Sequence, residues 1–329
     1  MSVLITGGAG YIGAHIVRLL EARGVRTVVV DDLSSGEADR VGDAPLVCFD
    51  LAAEDATRRL VDVIRDHDVS SIVHLAARKQ VGESVARPAE YYRANVGALA
   101  NLVEASAIAG VKRLVFSSSA AVYGVPAVSP VTETAPTVPI NPYGETKLVG
   151  EWLVADAARA YGIDAISLRY FNVAGAGWDD LGDPNAQNLV TLSISRISRG
   201  LAPEIFGDQF HTPDGSGVRD YVHVLDLADA HIAALDALAE PSRQSAGSRV
   251  YNVGTGHGSS VREVLAALAA ASGEYADPVV VEPRPGDPPS VVANVDRIAH
   301  ELGWRAARDL EEMAESAWRA HTWRARSLA

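Results

Sequence analysis

The stretch LITGGAGYIGAHI, residues 4–16, limits the possible folds more than any other part of the sequence. An apolar, strand-like run passes into three spaced glycines, Gly7, Gly10 and Gly13, and then into an amphipathic run. A strand-to-helix junction of this kind uses glycine for a positive φ, for close approach to a pyrophosphate and for tight helix packing. The N–H groups of the first helical turn also attract phosphate. A glycine pattern by itself fits a plain tight turn equally well.

The end of the next apolar run decides between these two interpretations. The segment TVVVDDL contains Asp31, 18 residues after Gly13. A carboxylate there accepts hydrogen bonds from an adenosine ribose 2′-hydroxyl and repels a 2′-phosphate. A solvated turn at Asp31 and Asp32 is the alternative. Because no arginine follows closely, the sequence predicts a site for NAD rather than NADP.

Short apolar runs alternate with longer runs of helical periodicity in the first half of the chain. The runs typical of buried strands are VLIT (3–6), TVVV (27–30), LVCF (46–49), SIVHLA (71–76), RLVFSS (113–118) and AISLR (165–169). Helical spacing is found in YIGAHIVRLLEARG, AAEDATRRLVDVIRDHD and PAEYYRANVGALANLVEASAIAG. The alternation predicts right-handed βαβ units and an α/β fold with a Rossmann-type doubly wound parallel sheet.

The alternation becomes irregular after about residue 172, where Gly, Pro and Asp are frequent. We therefore predict an NAD-binding Rossmann domain over residues 1–172, to which a segment of about 220–255 returns. Residues 173–329 are expected to form a smaller C-terminal α/β lobe that binds the substrate. A cleft between the two parts is the expected place for chemistry.

Charge and composition exclude several classes of function. A formal net charge of −13 over 329 residues repels phosphate backbones, so nucleic acid is not an expected partner. The single cysteine, Cys48, allows no internal disulfide or cysteine-built metal site and is expected to be buried in a strand. His223 and His231 lack metal-ligand spacing, so no metal is predicted. Without a basic leader or a run long enough for a membrane span, we expect a cytoplasmic protein with a small-molecule ligand.

The segment NPYGETK, residues 141–147, contains candidate groups for proton transfer. Pro142 suits the first position of a helix, so Tyr143 and Lys147, four residues apart, share one helix face. Lowering a phenol pKa from about 10 by about three units needs about 4 kcal/mol. Lys147 and the positive nicotinamide ring of NAD are the charges available for this. Ser119 is expected to orient the same substrate hydroxyl, and an ordinary tyrosine beside a surface lysine is the alternative.

Six segments in order carry a resemblance to a known family: TGGAGYIG, SSSAAVYG, NPYGETK, LRYFNVAGA, GVRDYVHVLDLADAH and PRPGDPPSVVAN. From Val3 to about Trp304, the chain resembles the extended short-chain dehydrogenase/reductase family and, within it, is similar to the UDP-glucose 4-epimerases. The resemblance implies an NAD-dependent isomerase of galactose metabolism, which epimerises a UDP-hexose at carbon 4 through a transient 4-keto intermediate. It also implies a homodimer that pairs through helices over 88–108 and 143–161.

The resemblance implies roles in catalysis and in NAD binding for the residues that match the family motifs. Tyr143 is the base for the sugar 4-hydroxyl, Lys147 is its pKa partner and a ribose ligand, and Ser119 is the orienting hydroxyl. The implied NAD-binding residues are Gly7, Gly10, Tyr11, Ile12, Gly13, Asp31, Asp50, Leu51, Leu75, Ala76, Lys79, Asn95, Ser117, Tyr143, Lys147 and Phe171. A solvated charge at Lys79 and a buried structural amide at Asn95 are the alternatives.

The resemblance also implies a nucleotide-sugar site in the second lobe. Arg219 and Arg284 lie in two matching motifs, and guanidinium groups suit the diphosphate of a ligand that binds an acidic protein. The implied substrate-binding residues are Ser119, Tyr143, Asn172, Asn188, Leu189, Phe206, Arg219, Tyr221, Arg284, Asp287 and Val291. An ion pair between Arg219 and Asp220 is the alternative for that arginine.

Two departures from the family pattern leave the sugar open. Ala121 stands where a threonine is usual, and Val291 stands where a bulky tyrosine closes the sugar pocket, so an N-acetyl group is admissible. UDP-N-acetylhexosamine, UDP-uronate and dTDP- or CDP-sugars are therefore alternative substrates. A sugar-nucleotide 4,6-dehydratase is disfavoured because Ala120 and Ala121 supply no acid. A non-catalytic NAD-binding protein is disfavoured because all three catalytic residues are present.

Overall fold

The computed structural model describes residues 2–185, 187–240, 247–274, 277–284 and 286–327. Its strands are β1 (Ser2–Thr6), β2 (Arg26–Asp31), β3 (Leu46–Cys48), β4 (Val69–His74), β5 (Arg113–Ser117), β6 (Asp164–Tyr170), β7 (Asn172–Ala174), β8 (Glu204–Phe206), β9 (Val218–His223), β10 (Ser248–Val253), β11 (Gly258–Ser260), β12 (Val279–Val281) and β13 (Ser290–Val291). Its α-helices are α1 (Tyr11–Ala22), α2 (Ala56–Asp66), α3 (Val81–Ala86), α4 (Pro88–Tyr91), α5 (Ala98–Ala109), α6 (Pro142–Tyr161), α7 (Leu189–Ile197), α8 (Val224–Ala239), α9 (Val261–Ser272), α10 (Asp296–Leu302) and α11 (Leu310–Ser327). As far as these ranges extend, no helix has both the length and the apolarity to cross a membrane.

Among the described residues, seven strands form one sheet in the order β10-β6-β5-β4-β1-β2-β3, and every neighbouring pair is parallel. Strands β2, β4 and β5 are short apolar runs that are almost wholly buried, as a sheet covered on both faces requires. The chain leaves the sheet at β3 and re-enters at β4, so the strand order reverses between β1 and β4. Ligands bind at the carboxyl ends of the strands at such a point. The predicted α/β fold with a Rossmann-type doubly wound sheet is confirmed.

Separate apolar clusters cover the two faces of this sheet. One packs α1 and α8 against it, and the other packs α2 and α5. Ile5 belongs to the first cluster and its neighbour Leu4 to the second. This division follows from the strand geometry, because successive side chains of a strand point to opposite faces. The core therefore holds β1 from both sides.

The second half of the chain forms a smaller unit around β9. Strand β9 pairs with β7, β11 and β13, and a separate parallel pair joins β8 to β12. Helices α7, α9 and α11 pack through an apolar cluster that contains Ile194, Leu268 and Met313. Strand β10 and helix α8 instead return to the large sheet, where β10 lies beside β6. The domain boundary at residue 172 stays a prediction, and residues 241–246 of the returning segment lie outside the described residues.

Two local features differ from the sequence expectations. Cys48 is exposed rather than buried, because β3 is a three-residue strand at the edge of the sheet. The helical run over 88–110 is not one regular helix. A π-helical segment, Tyr92–Gly97, separates α4 from α5 and buries the side chain of Asn95. Such π-helical segments are frequent at functional sites.

Gly13 is expected to tolerate no side chain. A Cβ atom there would lie 2.3 Å from the carbonyl oxygen of Gly7 and 2.6 Å from the Cα atom of Gly8. Because both are backbone atoms, Gly13→Ala has to push α1 away from the loop after β1. We expect the free energy of unfolding, measured by urea titration, to fall by about 1–3 kcal/mol.

Gly82→Ala is the matched control for this change. Gly82 also lies in a helix, but nothing lies within 4 Å of a Cβ built on it. Alanine favours a helix more than glycine does, so we expect its stability to stay equal or rise slightly. Equal losses in the two variants would contradict the role given to close packing at Gly13.

Candidate active site

The glycine loop after β1 forms a cradle at the start of α1. Gly7 has a φ of +73°, and a Cβ atom there would lie 2.7 Å from the amide nitrogen of Ala76. The N-cap of α1 is Gly10, and no side chain in the described part of the chain caps this helix. The backbone N–H groups of the first turn, which includes Tyr11 and Ile12, are thus left for a ligand. An uncapped helix start that follows a glycine-rich loop fits the pyrophosphate of a dinucleotide.

Asp31 is a buried anchor of this loop rather than part of a solvated turn. Its carboxylate oxygens accept hydrogen bonds from the N–H groups of Ala9, at 3.0 Å, and Leu33, at 2.9 Å. Burial raises the pKa of this carboxyl, and the two hydrogen bonds oppose that rise. The neighbouring Asp32 is exposed. Asp31 thus fixes the loop from the end of β2, while its contact with a ribose stays a prediction.

Helix α6 brings Tyr143 and Lys147 together beneath the end of β5. Asn141 caps the helix by accepting a backbone hydrogen bond at 2.9 Å, and Pro142 opens it as predicted. Both functional side chains are buried. The Nζ atom of Lys147 donates to the carbonyl oxygen of Ser117 at 2.8 Å and lies 6.0 Å from the centre of the Tyr143 ring. The spacing of four residues therefore gives the shared face that was predicted.

Ser119 completes this cluster from the loop after β5. This loop lies against the start of α6, since a Cβ atom at Gly144 would lie 2.6 Å from the carbonyl oxygen of Ala121. Burial raises the pKa of Tyr143, and the Ser119 hydroxyl partly offsets that rise. Burial also lowers the pKa of Lys147 to about 8. In the chain without a bound ligand, desolvation has the largest effect on the Tyr143 pKa. The expectation that Lys147 and the nicotinamide ring of NAD together lower this pKa stays a prediction.

A buried polar network that the sequence did not indicate lies next to Lys147. Glu151, one turn further along α6, accepts from Arg169 Nε at 2.8 Å and Nη2 at 2.6 Å, and from the Ser118 hydroxyl at 2.5 Å. Arg169 also donates to the hydroxyl of Tyr123 at 3.0 Å. The Arg169 and Glu151 side chains are 7% and 6% exposed. The spacing of Glu151 from Lys147 was the one signal in the sequence that could have indicated this network.

The other implied cofactor residues follow the strands of the large sheet. Because these strands are parallel, the residues directly after them share one edge of the sheet. The N–H groups of Leu75 and Ala76 bond to the carbonyl of Thr6, at 3.0 and 3.1 Å, which places them beside the glycine loop. Their exposure differs: Leu51 and Phe171 are buried, Leu75 and Ala76 are half-buried, and Asp50 and Lys79 are exposed.

Asn95 and Ser117 already have partners inside the protein. The Asn95 amide accepts from the Arg78 N–H at 2.8 Å and donates to the Arg78 carbonyl and the Thr146 hydroxyl, both at 3.0 Å. These contacts favour the structural alternative for Asn95. The Ser117 hydroxyl lies 2.8 Å from the Nε2 atom of His231. Cofactor contacts by these two side chains stay predictions.

Arg219 pairs with a different carboxylate from the expected alternative. Its Nη2 atom lies 3.3 Å from an oxygen of Asp287. Asp220 is wholly buried and accepts backbone N–H groups from the 255–256 turn and from Ala293. The alternative pair of Arg219 and Asp220 is therefore wrong, because neighbouring residues of β9 point to opposite faces. The contact instead joins the two motifs that were expected to bind a nucleotide sugar.

Arg284 and Phe206 are also brought together. The guanidinium carbon of Arg284 lies 4.0 Å from the centre of the Phe206 ring, a cation–π contact, and the arginine is exposed. Pro285, within the same motif, lies outside the described residues. Asn188 is the N-cap of α7 and Leu189 is its first residue.

The remaining implied substrate residues lie on strands paired with β9. Asn172 of β7 is in register with Tyr221 of β9. Val291 of β13 is in register with Arg219. The small sheet therefore collects residues that are distant in sequence, while their contacts with substrate stay predictions.

Side chains on one face of α1 form hydrogen bonds with the loop that leads to α7. The sequence did not indicate these contacts. The Tyr11 hydroxyl donates to a carbonyl of the loop 175–180 at 2.5 Å, and His15 Nε2 accepts an N–H from it at 2.9 Å. Arg18 forms two hydrogen bonds with Asp180, at 2.9 and 2.5 Å. The helical spacing of these three side chains was visible in YIGAHIVR, but their partner was not.

The histidines outside this site have structural contacts. His223 Nδ1 accepts from the N–H of Leu225 at 3.0 Å, and His231 Nδ1 lies 2.8 Å from the carbonyl oxygen of Leu227. Within the ranges that the structure covers, no group of His, Cys, Asp and Glu side chains could hold a metal ion.

Known proteins resemble this chain over almost its whole length. A model of the NAD dependent epimerase/dehydratase family matches residues 3–254. The chain is similar to a UDP-glucose 4-epimerase of Azospirillum brasilense, with 45% identity over 93% of this chain and 88% of that one. It is also similar to the crystal structure of UDP-glucose 4-epimerase from Brucella ovis in complex with NAD, with a TM-score of 0.91, 38% identity and coverage of 96% and 97% of the two chains. The enzyme of Stenotrophomonas maltophila, solved with NAD and formylated UDP-arabinopyranose, gives a TM-score of 0.92, 38% identity and coverage of 99% of both chains.

Removing the charge of Glu151 is expected to destabilise the fold. Glu151→Gln leaves the Arg169 guanidinium buried without its counter-charge, so we expect the free energy of unfolding to fall by about 3–5 kcal/mol. Asp156→Asn is the matched control on the same helix, because the pair of Asp156 and Arg159 is 65% and 73% exposed. That control should change stability by less than about 1 kcal/mol. Similar losses in the two variants, by urea unfolding, would refute the importance of the buried pair.

Proposed function

We propose, since this chain belongs to the NAD dependent epimerase/dehydratase family, that it interconverts UDP-glucose and UDP-galactose by epimerisation at carbon 4. It is an isomerase with NAD as its cofactor. The observation that carries the proposal is that Tyr143, Lys147 and Ser119 are all buried at the end of β5, two strands from β1 and its glycine loop. A role in galactose metabolism and a cytoplasmic location stay predictions.

The residues around the glycine loop fit the cofactor. The uncapped start of α1 would hold the pyrophosphate, Asp31 the adenosine ribose, and Lys147 the nicotinamide ribose. Bound there, the cofactor would supply reversible hydride transfer at carbon 4 of the sugar.

The residues of the protein transfer a proton at the 4-hydroxyl of the sugar. Ser119 holds this hydroxyl in position, and Tyr143 takes its proton and later returns it. Burial raises the pKa of Tyr143, so the phenolate forms only when positive charge surrounds it. The Lys147 ammonium supplies part of that charge, and the ring of the oxidised cofactor would supply the rest.

Binding the diphosphate of a nucleotide sugar needs local cations, because the chain carries a net charge of −13. We infer that Arg219 and Arg284 bind the diphosphate, since a guanidinium can donate two parallel hydrogen bonds to phosphate oxygens. The ion pair with Asp287 holds Arg219 ready for this. Asp287 would in turn accept a hydrogen bond from the uridine ribose.

The first test is to incubate the purified protein with UDP-galactose, UDP-N-acetylgalactosamine, UDP-glucuronate and dTDP-glucose separately, without reductant, and to follow the products by NMR. We expect UDP-galactose to become UDP-glucose with no net NADH. Tyr143→Phe should lower kcat by about 10²–10⁴-fold because the proton acceptor is lost. Tyr161→Phe, at the exposed end of the same helix, is the matched control and should keep its activity.

Two outcomes would reject this function. A stable 4-keto-6-deoxy product from dTDP-glucose would indicate a dehydratase. No turnover of any of these sugars by protein that retains NAD would indicate a different substrate or a binding role. Faster turnover of the N-acetyl sugar than of UDP-galactose would instead correct the preferred sugar, in line with the small side chain of Val291.

We also propose that the protein is a homodimer that pairs through α5 and α6. Ile108 of α5 and Trp152 of α6 are large apolar side chains that are 55% and 59% exposed. A second copy would remove both from water. Trp152→Glu should therefore halve the mass measured by light scattering, because it places a charge in the apolar contact.

Trp323→Glu is the control for the dimer, since Trp323 is 43% exposed on α11. It should leave the mass unchanged. A mass of one chain for the unaltered protein at micromolar concentration would refute the dimer.

A further inference from the structure

Glu37 ends a segment, residues 32–37, that lies against the glycine loop and has no role in the function proposed above. The segment follows directly after β2 and Asp31. The backbone N–H of Glu37 donates to the carbonyl oxygen of Ala9 at 3.2 Å. A Cβ atom at Gly36 would lie 2.8 Å from the carbonyl carbon of Ala9. The far end of the segment therefore packs directly on the loop after β1.

Asp31 connects this segment to the predicted adenosine site. Its carboxylate accepts the N–H of Ala9 and, at the start of the segment, the N–H of Leu33. A ribose bound at Asp31 would thus lie next to the segment. Further along, Asp32 accepts the N–H and the hydroxyl of Ser34, at 2.9 and 2.6 Å. These two contacts are local, so they do not attach the far end of the segment to the rest of the protein.

The far end is held by a helix from the other half of the chain. Arg324 of α11 forms a bidentate pair with Glu37, in which Nη1 donates to Oε2 at 2.9 Å and Nη2 donates to Oε1. The two side chains are 39% and 37% exposed. The hydrogen bonds from Arg324 lower the pKa of Glu37, so this carboxyl is ionised at neutral pH. Two parallel hydrogen bonds make such a pair stronger than an ordinary surface ion pair.

Arg40 attaches the residues that follow the segment to the same half of the chain. It is buried, and its Nη2 atom donates to the carbonyl oxygens of Leu181 and Gly182, both at 3.0 Å. Gly182 in turn lies on α11, because a Cβ atom there would lie 2.9 Å from the Cβ atom of Ala320. The Nη1 atom of Arg40 is 3.9 Å from Oε2 of Glu37. The Glu37 carboxylate therefore lies near two guanidinium groups, one on α11 and one that bonds to a loop packed on α11.

We propose that Arg324 is a positioning residue for cofactor retention: its pair with Glu37 holds the segment 32–37 against the glycine loop and slows the release of NAD. Without this pair the far end of the segment leaves the glycine loop more often, and the adenosine half of the cofactor is less enclosed. The proposal rests on the function proposed above only in placing the adenosine ribose at Asp31. It involves no sugar.

The test measures how fast bound NAD exchanges in the NAD-loaded protein. The holoenzyme is mixed with excess deuterated NAD, and native mass spectrometry follows the exchange at a temperature where the unaltered protein exchanges within hours. Arg324→Met keeps most of the side-chain length and removes the donors. We expect it to exchange NAD about three to ten times faster, as the loss of one bidentate, partly exposed pair would give. Arg324→Lys keeps the charge but not the two parallel hydrogen bonds, so it should recover part of the difference.

Arg319→Met is the matched control on the same helix. Arg319 donates to Asp179 at 2.5 Å, and these side chains are 58% and 40% exposed. This pair lies within the second half of the chain, so its loss should leave the exchange of NAD unchanged. Urea unfolding of the NAD-free variants measures any general loss of stability. Equal acceleration in the two variants, or exchange that simply follows the unfolding midpoint, would indicate a merely structural role and overturn the proposal.

Glu37→Gln tests the same contact from the other partner. It removes the charge that Arg324 binds, so the exchange of NAD should again be faster. The variant that combines Glu37→Gln with Arg324→Met should exchange no faster than Glu37→Gln alone, because both changes break one contact. Effects that multiply in the combined variant would show that the two residues act independently, and this would also overturn the proposal.

Turnover of UDP-galactose is measured separately from this exchange. Normal turnover with equal exchange rates in the unaltered protein and Arg324→Met would reject the proposal for Arg324 alone. Absence of turnover together with the expected differences in exchange would reject the proposed function alone.

Discussion

The bidentate pair of Glu151 and Arg169 holds the site together. It joins α6, which carries the two predicted proton-transfer residues, to β6 of the central sheet. Burying two charges is favourable only when further polar groups satisfy them, and Ser118 does so here. The helix also lies very close to the sheet, because a Cβ at Gly150 would come within 2.6 Å of the Phe116 ring. The position of α6 therefore tolerates little change.

A second set of contacts connects the two halves of the chain. Three side chains of α1 form hydrogen bonds with the loop 175–180, which leads into α7. The start of this same helix suits a pyrophosphate. Within the second half, the pair of Arg219 and Asp287 joins β9 to the segment before β13. The predicted cofactor side and the predicted substrate side are thus held by direct hydrogen bonds and not by apolar packing alone. Displacement of α1 would be transmitted to the loop before α7.

Sequence could predict the features that depend on local spacing. The glycine loop, the acid at Asp31 and the shared face of Tyr143 and Lys147 each follow from strand or helix periodicity. The missed features depend on partners that the fold brings together: Ser117 and His231, for example, are 114 residues apart. The exposure of Cys48 depends on the place of β3 in the sheet order, which no local pattern specifies.

The raised pKa of Tyr143 also bears on how the chain can fold. An unpaired negative charge in a buried position would destabilise the native state considerably. At neutral pH the chain instead buries a neutral phenol, because desolvation raises its pKa. Under the proposed function, the charges that assemble with the ligands would stabilise the phenolate. The chain without ligands would then carry no cost of a buried charge at this residue.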